Sequence, residues 1–264
     1  MLDLTRVCKT FNPGTINEKR ALQDLNLHLK DGDFVTVIGG NGAGKSTMLN
    51  AVAGVWPVDA GSIVIDGTDV TGLPEFKRAR FIGRVFQDPM MGTAPNMQIE
   101  ENLALAYRRG QSRGLSWGVT RAERALYHEK LQILGLGLED RMASKVGLLS
   151  GGQRQALTLL MAALQRPKLL LLDEHTAALD PATAAKVLEL SDRLVAENGL
   201  TAMMITHNMK DAIAHGNRLI MMNEGKIILD IAGEEKKKLT KAQLLEKFAE
   251  VAGVQEETDA VLLS

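Results

Sequence analysis

Three apolar runs, each stopping at a polar motif, constrain the fold more than anything else in the chain. Phe34-Val35-Thr36-Val37-Ile38 runs into a glycine-rich loop, Leu169-Leu170-Leu171-Leu172 into Asp173-Glu174, and Ala202-Met203-Met204-Ile205 into Thr206-His207. Runs of this length without polar alternation suit strands buried on both faces, as in a parallel sheet covered by helices. Ligands on such sheets bind at the carboxyl ends of the strands. The pattern therefore predicts an α/β core with all three motifs at one sheet edge.

Helix signals fit between these strands. Asp180 is a predicted N-cap, Pro181 the first helical residue and Gly199 the position just past the end. Ala184, Val187, Leu188, Ser191, Leu194 and Val195 then share one face. Thr47 to Ala53 reads as a helix stopped by Gly54. Ser62-Ile63-Val64-Ile65 precedes the turn pair Asp66-Gly67. Leu219 to Met222 turns at Asn223-Glu224-Gly225 and returns as Lys226 to Leu229. With the N-terminal strand, these two stretches predict a small antiparallel β subdomain beside the core. From about 90 to 158 strand patterns are weak, and Glu100 to Arg109 and Arg121 to Leu134 look helical. This segment is expected to be a helical insert. Its Arg108, Arg109, Arg113, Arg121 and Arg124 form either a solvated basic face or a contact surface for an acidic or membrane-proximal partner. Beyond Gly233 the chain is charged, with an amphipathic stretch from Lys241 to Phe248 and an end, Glu256 to Ser264, expected to fray.

Bulk properties narrow the class. A chain of 264 residues buries roughly three quarters of its unfolded surface and needs no disulfides. The one cysteine, Cys8, excludes an intrachain disulfide and fits a reducing compartment. A net charge of −1 disfavours a dedicated nucleic-acid binder. There is no apolar run long enough to span a bilayer. Met1 to Arg6 reads as a strand start rather than a signal peptide, so a cytosolic location is expected, with docking on a membrane protein left open.

The glycine loop, Gly39-Gly40-Asn41-Gly42-Ala43-Gly44-Lys45-Ser46-Thr47, matches the G-x-x-x-x-G-K-[ST] pattern. Small residues let backbone N–H groups turn toward phosphate oxygens, and the next helix adds its positive N-terminus. Lys45 is expected on the β- and γ-phosphates, and Ser46 offers a hydroxyl to Mg²⁺. Asp173-Glu174 is a carboxylate pair at a strand end. In Leu149-Ser150-Gly151-Gly152-Gln153, Ser150 caps a helix whose first turn is Gly151-Gly152. Such a start presents a hydroxyl and N–H donors to an anion. Two glycines there weaken the helix and are expected to mark the close approach of a ligand.

In this order, with Gln87 in Val85-Phe86-Gln87-Asp88-Pro89, Ala178-Leu179-Asp180 and His207, the motifs resemble the nucleotide-binding subunit of ABC transporters over nearly all of residues 1–233. The resemblance implies a P-loop NTPase fold, with a RecA-like parallel-sheet core, an antiparallel β subdomain, a helical insert, and residues 234–264 as a charged tail. It implies ATP and Mg²⁺ as ligands, with Ser46, Gln87 and Asp173 toward the metal. Glu174 polarises the attacking water, His207 contacts the γ-phosphate, and Gln87 reports to a membrane partner. Phe11 takes the place of the usual Tyr that stacks on adenine, though a core role for Phe11 stays open. Ser150, Gly151, Gly152 and Gln153 cover the γ-phosphate held by a second copy, and Asp180 links the two sites.

The implied partners are that second copy, a transmembrane permease and, indirectly, a solute-binding protein, with the chain peripheral on the inner face of the membrane. The run Asp173 to Asp180, together with Gly83 to Met97, resembles a bacterial branch that includes importers for aromatic amino acids such as tryptophan and tyrosine. Exporter or lipid-extrusion ATPases share the catalytic residues. A soluble relative acting on DNA or ribosomes would carry two nucleotide domains or a long coiled-coil insert. One departure from the family pattern is His175, where proline usually follows the glutamate. It is expected either to pack within its loop or to modulate Glu174. His28, His128 and His215 show no metal-ligand spacing.

Overall fold

The computed structural model describes residues 1–111 and 118–252. Its strands are β1 (Leu2–Phe11), β2 (Lys19–Leu29), β3 (Phe34–Ile38), β4 (Ala60–Ile65), β5 (Thr68–Asp69), β6 (Ile82–Val85), β7 (Leu169–Asp173), β8 (Thr201–Ile205), β9 (Arg218–Asn223) and β10 (Lys226–Ala232). Its helices are α1 (Lys45–Ala53), α2 (Glu75–Arg78), α3 (Ile99–Tyr107), α4 (Arg121–Gln132), α5 (Gly151–Ala163), α6 (Pro181–Asn198), α7 (Met209–Ala214), α8 (Gly233–Lys238) and α9 (Lys241–Ala252).

The three apolar runs are β3, β7 and β8, adjacent and parallel in a six-stranded sheet ordered β10-β9-β3-β8-β7-β6. Strand periodicity divides their side chains between two cores. Val35, Val37, Leu169, Leu171, Met203 and Ile205 face α1 and the second sheet. Phe34, Leu170, Leu172, Ala202 and Met204 face α5 and α6. Both faces are dry, which explains why these strands carry no polar alternation.

The second sheet is antiparallel, ordered β2-β1-β4-β5, with β4 and β5 turning at Asp66-Gly67. The hairpin β9–β10 does not join it. β9 pairs parallel with β3, and β10 closes the edge of the main sheet. The expected grouping with the β subdomain is therefore corrected. Leu219 and Met221 pack with α7 and α9, whereas Ile220 and Met222 enter the core between the sheets. A strand apolar on both faces belongs in the covered sheet.

Helix boundaries follow the local signals. Asp180 caps α6 by accepting from the Thr183 N–H at 3.1 Å, and Gly199 ends it in the left-handed conformation (φ 60°). Gly54 ends α1 likewise (φ 86°). Between 90 and 158, α3, α4 and the C-terminal part of α5 share a separate apolar cluster around Leu103, Tyr127, Leu131 and Leu157.

Three of the arginines of that region bond to neighbouring elements, while Arg121 is exposed. Arg124 holds Glu100 with two bonds of 2.7 Å, Arg108 pairs with Glu123 at 2.7 Å, and Arg109 donates to the Ala162 carbonyl. They tie α3, α4 and α5 together. Arg113 lies outside the described residues, as does the stretch Glu256 to Ser264. At the tail, Leu244 and Phe248 of α9 are buried against β9 and β10.

Candidate active site

The carboxyl ends of β3, β7 and β8 meet in one cleft. Phe11, Lys19, Ala21, the loop from Asn41 to Thr47, Glu174 and His207 line a hollow of about 340 Å³. It continues into a second hollow lined by Gly39, Gly40, Asn41, Gln87, Glu174, Ala177 and His207. Parallel register produces this convergence. Asp173 lies opposite Ile205, so Glu174 and His207 leave neighbouring strands at nearly the same level.

Within the cleft, the α1 N-terminus has Gly44 at the N-cap (φ 101°) and no side-chain cap. An uncapped helix start lining a cleft is the arrangement that binds phosphate. Lys45 is buried and its Nζ donates to the carbonyls of Gly39 at 2.7 Å and Gly40 at 3.0 Å. The ammonium is thus held over the loop. Gly39 has φ 148°, and a Cβ there would lie 2.2 Å from the Met222 carbonyl oxygen of β9. This glycine is required by the neighbouring strand, independently of any phosphate.

Nε2 of His207 is 2.5 Å from Oε1 of Glu174. Glu174 is left-handed (φ 46°), a conformation that costs a non-glycine residue on the order of 1 kcal/mol or more. Burial pushes the Asp173 carboxyl above its usual range, opposed by the Arg84 guanidinium 3.3 Å away. Arg84 also donates to Asn50 Oδ1 at 2.7 Å and lies over the Phe86 ring.

A group of three or more metal-ligating His, Cys, Asp or Glu side chains is absent among the described residues. Mg²⁺ needs no such cage; it is bound by one or two protein oxygens together with phosphates and water. The partly buried Asp173 carboxylate and the Ser46 hydroxyl at the loop fit that donor set, with Gln87 lining the adjoining hollow.

Phe11 lines the cleft and meets the Trp56 ring edge-on at 5.4 Å. It is not a core residue.

The segment Leu149–Gln153 lies elsewhere. Ser150 caps α5 by accepting from the Gln153 N–H at 3.3 Å, and Gln153 accepts from the Ser150 N–H at 3.2 Å. Ser150, Gly152 and Gln153 line a hollow of about 650 Å³ with Thr183, Lys186 and Arg193. That hollow shares no lining residue with the cleft. Asp180 lies at the start of α6, outside the cleft lining.

The two glycines of α5 differ. A Cβ at Gly152 would meet Thr183 Cγ2 at 2.2 Å, whereas one at Gly151 meets only Leu179 at 3.6 Å. Gly152 therefore has a packing reason inside the chain, and it also lines the hollow. Gly151 stays exposed.

His175 is buried. Its ring Nε2 lies 2.9 Å from Ser191 Oγ, and burial depresses its pKa to about 4, so the imidazole is neutral. His215 pairs with Asp192 at 2.6 Å and His28 with Asp3 at 2.5 Å.

Sequence reasoning missed Arg84, Asn50 and Lys19. Arg84 left a signal: it is the one charged residue in the apolar run Phe81-Ile82-Gly83-Arg84-Val85-Phe86, which calls for a buried acceptor. Lys19 and Asn50 left none.

A model of the ABC transporter family matches residues 22–177. The chain is 44% identical to the tyrosine transport ATP-binding protein of Clostridioides difficile (strain R20291), covering 94% of this chain and 98% of that protein. It is 34% identical to the spermidine/putrescine import ATP-binding protein PotA of Haemophilus ducreyi over 87% of this chain, and spans only 57% of that relative's length. Among solved structures, the dimeric post-hydrolysis state of the ATP-binding cassette MJ0796 bound to ADP and Pi superposes with a TM-score of 0.74, 33% identity and coverage of 88% and 98%. The ADP conformation of the cassette MJ1267 gives a TM-score of 0.77 at 26% identity, with coverage of 94% and 98%.

Proposed function

The chain belongs to the ABC transporter family and is an ATPase of that family, and from this premise we propose that it closes with a second copy around ATP and so energises a separate permease. The carrying observation is the separation of the two motifs. One cleft gathers the glycine loop, Gln87, Glu174 and His207, while Ser150–Gln153 lines a different hollow of the same chain. A capped helix start with an outward hydroxyl and Gly151 is an anion-binding surface whose anion lies in another molecule. Two copies related by a two-fold axis complete two such sites at once. The dimeric state of MJ0796 supports this reading.

Each side chain then has a task. The α1 N-terminus and Lys45 bind the phosphates, and Phe11 offers a ring face to the base. Glu174 accepts a proton from the attacking water, and His207 at 2.5 Å orients that carboxylate and the γ-phosphate. Ser46 and Asp173, with Gln87 beside them, would hold Mg²⁺, which when bound neutralises phosphate charge. Loss of the shared γ-phosphate contact opens the dimer, and Asp180, at the α6 N-terminus, links the two halves.

Residues 90–158 form the insert that passes this motion to the permease. The exposed Met90, Met91, Leu105 and Leu148 in this region support an apolar docking face on a membrane protein. Among the described residues there is no helix long and apolar enough to cross a membrane, so anchoring on the inner membrane face falls to the permease. The 44% identity to a tyrosine transport protein favours import of aromatic amino acids, with a solute-binding protein delivering the cargo and no nucleic acid involved.

The test is Ser150→Arg. Nucleotide binding to the monomer stays intact, and ATP-dependent dimerisation, followed by light scattering, is abolished. If that variant dimerises normally, the composite site is wrong. Cargo is checked separately, by measuring ATP turnover of the permease complex with binding protein loaded with tyrosine, tryptophan or a polyamine.

A further inference from the structure

The loop between Glu174 and Asp180 has one buried side chain, His175, which is 2% exposed. Glu174 meets His207 and Asp180 caps α6 at the loop's two ends, and between them the loop is held by backbone bonds. The Glu174 N–H donates to Ile205 at 3.1 Å, Ala177 N–H to Glu174 at 2.9 Å, and Leu179 N–H to Thr176 at 3.1 Å. None of these ties the loop to α6, which covers it.

His175 does. Ser191 Oγ donates its single hydrogen to the Val187 carbonyl at 2.8 Å. Its lone pairs remain, so the 2.9 Å contact is Nε2–H of His175 donating to Ser191 Oγ. Nε2 of the ring therefore carries a hydrogen. Ser191 is itself buried in the middle of α6, whose Leu188, Leu190, Leu194 and Val195 are fixed in the main core. The bond thus runs from the rigid core to the residue following Glu174. Glu174 adopts φ 46°, a conformation that persists only where its surroundings hold it.

We propose that His175 is a positioning residue for hydrolysis: its hydrogen bond to Ser191 holds the Glu174–Asp180 loop on α6, which keeps the left-handed Glu174 aimed into the cleft beside His207. Where the family uses proline to restrict the backbone, this chain uses a side-chain tether. The inference rests on Glu174 being the hydrolytic carboxylate. His175 lines neither hollow of the cleft, so it acts through Glu174 alone.

The experiment measures steady-state ATP hydrolysis, nucleotide binding and thermal unfolding of the full chain for His175→Ala, Ser191→Ala, the double variant and His175→Gln. Losing the tether lowers kcat about tenfold in each alanine variant, with KM and nucleotide affinity unchanged. The double variant is no worse than either single, because one bond is removed in all three. Glutamine, whose Nε2 amide reaches the same acceptor, recovers kcat to within about threefold.

If His175→Ala does not fold, Ser191→Ala carries the test with the loop sequence intact. The proposal is overturned if kcat stays within twofold in Ser191→Ala. It is equally overturned if the two alanine effects add, or if kcat falls only in step with melting temperature and nucleotide affinity. A Glu174→Gln control separates the two claims. Wild-type turnover in that variant removes Glu174 from its role, whatever His175 does.

Discussion

The glycine loop and the Leu149–Gln153 segment both lie at helix N-termini, yet the chain treats them differently. At the first, sheet geometry brings Lys45, Glu174, His207 and Gln87 to the same cleft. At the second, Ser150 and Gln153 satisfy each other in a capping box, and no residue of the ATP cleft joins them. The uncapped start of α1 thus lies inside the cleft, whereas the capped start of α5 lines a separate hollow. What distinguishes them is whether parallel strands end beside the helix.

The largest effect that sharpens this contrast is at Glu174. Glu174→Gln is expected to lower hydrolysis by about 10²- to 10⁴-fold, the range for a lost general base, while nucleotide still binds and the closed dimer accumulates. Turnover and light scattering in ATP check both parts.

Next is Lys45→Met, which removes a charged donor from the cleft alone. Nucleotide affinity falls about 10- to 100-fold by equilibrium titration, as expected for a charge-assisted bond. An equal loss from Ser150→Arg in the monomer would break the comparison, because it would put both motifs on one nucleotide of one chain.

Gly152→Ala comes third. The added methyl group collides with Thr183 Cγ2, so unfolding stability drops by about 1–3 kcal/mol. Adding Thr183→Ala restores it. Restoration by urea denaturation shows that this glycine serves packing between α5 and α6; failure removes that packing role.

The smallest effect lies outside both regions. The hydrogen bond from Asp192 raises the His215 pKa above its ordinary value, against the opposing cost of burial, with Asp211 adding attraction and Lys236 repulsion. A raised histidine contributes fully below about pH 6.5, and the contribution is lost as pH rises through the folded-state pKa. Asp192→Asn should therefore narrow the stability difference between pH 6 and pH 8.5. The change is under about 1 kcal/mol, since Asp192 is 43% exposed and solvent screens the pair. Urea midpoints at the two pH values measure it.

Much of the site was legible because its information is local. A both-faces-apolar run ending in Asp173-Glu174 specifies a buried strand and the edge where its carboxylates emerge. Asp180, Pro181 and Gly199 specify the two ends of α6 through capping chemistry alone. The failures have a common cause. The β9–β10 hairpin was legible as a hairpin, but its sheet depends on what covers its second face. Arg108, Arg109 and Arg124 look like surface charge until Glu100, Glu123 and the Ala162 carbonyl are brought to them by helix packing. Gly152 carries no packing signal until Thr183 arrives from α6.

By itself, then, the sequence determined the buried parallel strands, the helix caps, the phosphate-binding loop and the family. These follow from spacing along the chain and from backbone hydrogen-bonding needs satisfied within a few residues. Only the tertiary structure decided that His207 meets Glu174, that Arg84 lies against Asp173, and that His175 bonds to Ser191 rather than facing solvent. Each joins residues in, or just beyond the ends of, different strands or helices. Their pairing is fixed by sheet register and by burial, which leaves a polar group a place only where an acceptor from another element lies within reach.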